Sequence, residues 1–168
     1  IIKTFTMESP VSEEDFKSKT IADLTTVLFK AAQEDYNMKL NLLKEKSFPI
    51  IENVYQSQGS LFKMIQVPFT DGIKTMTIVT DLKEAFDTKC ETMINDFEKN
   101  ITLSIIDENW KLHLREMDDL RKSSQGAVYE QKDPLVIYKQ ESFHLFTEMI
   151  DKLNREIISF LYKGEIPA

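Results

Sequence analysis

No glycine or proline interrupts residues 73–125 or 135–163, and for most of both stretches apolar side chains recur every three or four positions. Glycine and proline are the residues that break helices, and three-four spacing gathers apolar groups on one helical face. A chain written this way is committed to long amphipathic helices. Between the two stretches lies Ser123–Pro134, "SSQGAVYEQKDP", holding one of the four glycines in 168 residues together with a loop tyrosine.

Each end of the second stretch carries a signal. Asp133 is a good N-cap and Pro134 a good first helical residue, while Gly164 closes the helix. Its apolar row runs Leu135, Tyr138, Ser142, Phe146, Met149, Leu153, Ile157 and Phe160. The first stretch predicts a helix capped by Thr80 or Asp81 and running to about Lys122, with Leu82, Phe86, Cys90, Met93, Phe97, Ile101 and Ile105 in row, then Ile106, Trp110, Leu114, Met117 and Leu120. At 1.5 Å per residue such a helix approaches roughly 60 Å. The two helices form an antiparallel hairpin with its tip at 123–134.

Upstream, residues 1–19 read as irregular, with Ser12-Glu13-Glu14 as a local N-cap and acidic first turn. From Thr20 a third amphipathic helix runs to a stop at Gln58-Gly59, and Pro49 either kinks or restarts it. Two β-rich runs, Leu61–Thr70 and Ile73–Thr80, flank Asp71-Gly72, a pair suited to a tight hairpin turn. Pro68 restricts its strand to an edge, and a lone β-hairpin needs a helix to lie on. The expected fold is therefore mainly all-α, a long helical hairpin plus a smaller helical region with a β-hairpin. The expected domains are 1–80 and 81–168.

Composition excludes several functions. A net charge of −7 is wrong for nucleic acid, which demands clustered cations, and for direct adhesion to anionic lipid. Cys90 is the single cysteine, so no disulfide or cysteine-cluster metal site can form, and a reducing compartment is expected. No apolar run is long enough to span a bilayer, and no signal segment opens the chain. The start at Ile1-Ile2-Lys3 suggests an excised piece of a longer protein.

Chemistry is equally sparse. The glycines are too far apart for a phosphate-cradling or dinucleotide-binding loop. His113 and His144 lack metal-ligand spacing, and no metal site is expected. Cys90 lies on the apolar row, which favours a buried structural thiol over a nucleophile. Carboxylate pairs such as Asp118-Asp119 and Glu13-Glu14 read as solvated faces. Trp110, the only tryptophan, reads as a packing anchor facing the returning helix. Tyr129 either contacts a partner or folds back over the hairpin end; spacing leaves both open. Residues 121–139 carry four cations and two anions, +2 locally, against −9 for the remainder. That suits a polar or acidic partner at the tip.

From Ile105 the motifs Trp110-Lys111-x-His113-Leu114, Met117-Asp118-x-Leu120-Arg121, Tyr129-x-Gln131-Lys132-Asp133-Pro134 and Tyr138-Lys139-x-Glu141-Ser142-Phe143 follow in order. This region is similar to the C-terminal helical scaffold of the SecA family, motor ATPases that drive preproteins through the bacterial Sec channel. The resemblance implies that 81–168 is the two-helix finger and that 1–80 is the helical wing, with the β-hairpin near 61–80 a variation on it. It implies that Tyr129, with Gly126, Val128, Gln131 and Lys132, meets the SecY channel complex and the moving polypeptide. It makes Trp110, His113, Leu114, Asp133 and Pro134 structural anchors.

Many relatives carry a Gly-Ile step and an Arg-Gly pair in the loop. Here Ser123-Ser124 and Ala127-Val128 stand near those places, so the turn is expected at Gly126. By the same resemblance the region is not itself an enzyme and holds no cofactor. The parent would use ATP and Mg, and its remaining motor domains would be partners of this region. Its place would be the cytoplasm, at the inner membrane through the translocon. A stand-alone helical adaptor binding partner helices is the alternative.

Overall fold

The computed structural model describes residues 8–59, 61–126 and 133–167. These form helices α1 (Glu13–Ser18) and α2 (Ile21–Gln58), strands β1 (Met64–Thr70) and β2 (Thr75–Asp81), then helices α3 (Leu82–Asp87), α4 (Glu91–Ser124) and α5 (Pro134–Lys163). The fold is mainly α with one two-stranded antiparallel sheet, as the periodicity requires. The chain divides into two compact units, Ile1–Ile101 with Ile158–Ala168, and Thr102–Ile157. The sequence boundary at 80/81 runs inside the first.

In the first unit the caps are those the sequence advertises. Ser12 Oγ accepts from Asp15 N at 3.2 Å. Thr20 Oγ1 accepts from Asp23 N at 3.2 Å and donates to Asp23 Oδ2 at 2.7 Å, satisfying an end amide that has no helical partner. Helix α2 continues through Pro49 rather than restarting there. The proline removes one amide donor inside the helix, and neighbouring Ser47 is buried with its hydroxyl donating to Leu43 O at 2.6 Å.

The β-hairpin pairs Val67 with Ile78 and Phe69 with Met76, and these four side chains all point into the core. Its inward face rests on α4, where the Phe69 and Phe97 rings lie 4.3 Å apart. The connection differs from the expected two-residue turn. The strands stop at Thr70 and Thr75, leaving a four-residue loop. Asp71 Oδ1 accepts from Ile73 N at 2.9 Å and Lys74 N at 2.7 Å, so the aspartate closes an Asx turn and only Gly72 takes a positive φ, 85°.

A second difference lies where one helix was expected from residue 81 to about 122. Asp81 does cap it, accepting from Glu84 N at 3.0 Å, but α3 ends at Asp87 and α4 begins afresh at Glu91. The break is a Schellman motif. Cys90 N donates to Ala85 O at 2.7 Å and Lys89 N to Phe86 O at 3.1 Å. Lys89 (φ 50°) and Cys90 (φ 68°) both occupy the left-handed region where glycine is the usual choice. With no glycine to mark it, the break is silent in the sequence, and Cys90 stays on the buried row by turning the chain. Lys89→Gly should therefore raise stability by about 1 kcal/mol, because it removes the side-chain penalty of that conformation. Urea denaturation measures it; an unchanged or lower midpoint would contradict the strain.

The end of α5 closes this unit. Phe160 is buried, and Tyr162 Oη donates to Ala32 O of α2 at 2.5 Å. Beyond the helix, Thr70 and Glu165 exchange two backbone hydrogen bonds of 2.8 Å, an antiparallel bridge on the outer edge of β1. On α2, Tyr36 Oη donates to Glu98 Oε1 at 2.9 Å, and Lys39 Nζ donates to Leu161 O. Burial lowers the Lys39 ammonium to about 8, against opposing attraction from Glu165 and Asp35.

The unfolded chain then holds more protons than the fold between about pH 8 and the ordinary lysine value near 10.5, so stability rises with pH across that window. Burial and Glu98 hold the Tyr36 phenol proton in the fold, which reverses the trend above about pH 10. Denaturation midpoints should climb from pH 8 toward 9 in the native chain and level off above it, where the raised Cys90 thiol opposes Lys39. In Lys39→Met the climb should be absent and the midpoint should fall above about pH 9.

Candidate functional site

The second unit, Thr102–Ile157, contains the residues the motifs single out. Asn109 of α4 meets Glu156 of α5 while His113 meets Phe146, so the two helices run antiparallel. Asp133 caps α5, its Oδ1 accepting from Leu135 N at 2.8 Å, and Pro134 opens the helix. Gly126 lies exposed just past α4. Val128, Tyr129, Gln131 and Lys132 lie outside the described residues.

The inner face is not the one expected from hydrophobicity. Buried on α4 are Ile105, Asn109 and His113, a row stepping by four from Ile101. Trp110 and Leu114, offset by one residue, are 45% and 49% exposed. Asn109 tolerates its position because its amide nitrogen donates to Ile105 O at 3.0 Å and to Glu156 Oε2 at 2.7 Å. The His113 ring sits between Trp110, 5.6 Å away, and Phe146, 5.9 Å away and edge-on. Its Nδ1 is buried without a hydrogen-bond partner among the described residues. Trp110 is thus a cover on one side of His113, not the core anchor. Asn109 and Glu156 are the polar pair that apolar counting passes over; the one signal for Asn109 is that it and His113 extend the 101–105 row.

The displaced apolar row remains in the open. Leu103, Ile106, Trp110 and Leu114 form an exposed stripe along α4, and Leu135, Val136, Phe143 and Phe146 are exposed on α5. Isolated exposed apolar side chains are ordinary, but a row of large ones at helical spacing marks a contact surface. No reactive chemistry accompanies it. Among the described residues no three His, Cys, Asp or Glu side chains are grouped to hold a metal. Cys90 is fully buried in the first unit, and burial pushes its thiol up, so it is protonated rather than a nucleophile. No described helix is long and apolar enough to cross a membrane.

The model of the SecA Wing and Scaffold domain matches residues 2–165. The chain belongs to the SecA wing and scaffold family. Protein translocase subunit SecA of Christiangramia forsetii is 50% identical over 168 residues, 100% of this chain and 15% of that protein. The SecA subunit of Flavobacterium psychrophilum is 50% identical over 167 residues, and that of Parabacteroides distasonis 45% over 168. The chain therefore spans 15% of the length of the curated relatives it matches. No solved structure matches it.

Proposed function

We propose that this chain is the non-catalytic lever of a SecA translocation motor, with 1–80 as the helical wing and 81–168 as the two-helix finger. The single observation that carries the reading is the exposed stripe Leu103, Ile106, Trp110 and Leu114 beside a buried inner row. Such a face supports docking on the remaining motor domains, where ATP and Mg are handled. The tip, with Tyr129 flanked by Gly126, Val128, Gln131 and Lys132, is the contact for polypeptide and the SecY channel. The motor works in the cytoplasm, held at the inner membrane through the translocon.

Two substitutions in the full-length motor test this. Trp110→Ala should cost this chain about 1 kcal/mol, well below the 3–5 kcal/mol of a core aromatic, since nearly half the ring is already in water. In the motor the same change should loosen docking and raise ATP hydrolysis in the absence of preprotein. Tyr129→Ala should leave the denaturation midpoint unchanged and slow preprotein transport. Native ATPase control in the first variant together with native transport in the second would leave the stand-alone adaptor as the better reading.

A further inference from the structure

The outer edge of β1 is used at one end and open at the other. Thr70 turns its N–H and C=O away from β2 and gives both to Glu165. Backbone groups alternate along a strand, so Pro68, Gln66 and Met64 face the same way, while Ile65, Val67 and Phe69 face β2. Continuing the register from Glu165 sets Pro167 against Pro68. Neither has an N–H, which is why the pairing stops after one bridge. Past that point the outward N–H and C=O of Gln66 and Met64 have no partner among the described residues.

Beside these groups runs a groove of about 440 Å³ between the strand and α2, lined by Ile50, Ile51, Val54, Phe62, Met93 and Ile166 among others. None of its described lining residues is charged, in a chain whose residues are 29% charged. A charged occupant would lose its water and gain no counter-charge. A helical occupant would satisfy its own backbone and leave the edge open. Met64, half exposed on the wall of the groove, suits a surface that accepts varied apolar shapes.

We propose that this edge and groove bind an extended, uncharged apolar peptide segment as an added strand beside β1, continuing the pairing that Glu165 begins. The peptide backbone bonds Gln66 and Met64, and its alternate side chains enter the groove. The proposal does not rest on the reading of the helical hairpin and its tip.

The probe is a short peptide of alternating valine and threonine with terminal lysines, compared with the same peptide N-methylated at every residue between the lysines. Titration into the chain should slow amide exchange at Gln66 and Met64, whereas Ile65 and Val67 are protected from the start. N-methylation should abolish the effect. Gln66→Pro removes a donor that β2 does not use, and Ile50→Glu puts a charge at a position 56% exposed, so both variants keep the fold. Each should weaken peptide binding about tenfold. Equal binding of the methylated peptide, native affinity in both variants, or no protection at saturating peptide would overturn the proposal. Protection at the same amides that grows with protein concentration in the absence of peptide would assign the edge to a second copy instead.

Discussion

Phe97→Ala is expected to cost about 3–5 kcal/mol, the range for emptying an aromatic site in a packed core. Phe97 is 0% exposed and sits where three parts of the first unit converge. Its ring meets Phe69 of the β-hairpin at 4.3 Å, and it packs against the turn after α5 at Gly164. Removing it strips the β-hairpin of its main support, and a two-stranded sheet has little stability of its own. Urea denaturation should show a lowered midpoint, and amide exchange should rise first in β1 and β2. A loss below 1 kcal/mol would show that the β-hairpin is held by something else.

Gly164→Ala should cost about 1–3 kcal/mol by overpacking the same place. A methyl there would lie 2.8 Å from Phe160 O and 3.0 Å from the Phe97 ring. The first contact is with helix backbone and persists in any background, while the second is relieved when the ring is shortened. The alanine should therefore be better tolerated in a Phe97→Leu background than in the native chain, and a double-mutant cycle measures the coupling. Additive losses would mean that the ring is not what the methyl meets.

Much of this architecture is legible without coordinates because its signals are local. Thr20, Asp81 and Asp133 cap their helices through side-chain oxygens that reach amides two or three residues ahead. Inward-facing Val67, Phe69, Met76 and Ile78 alternate in sequence as they alternate in the sheet. Where the signal was not local, the sequence misled. The break at Lys89-Cys90 uses left-handed residues that carry no glycine, and the Asp71 loop is closed by the Asp71 side chain together with one backbone bond, Asp71 N to Lys74 O at 3.2 Å.

The helical hairpin shows the division most clearly. Sequence by itself determined that α4 and α5 are helices, where α5 begins, and that α4 carries an apolar row through Trp110 and Leu114. It could not show that the row with Asn109 and His113 turns inward rather than the row with Trp110 and Leu114, since the rows lie one residue apart and hydrophobicity favours the second. The tertiary structure decided for the first. Glu156 on the facing helix satisfies Asn109, Phe146 covers His113, and a satisfied polar group can be buried while an apolar row can wait for a surface elsewhere.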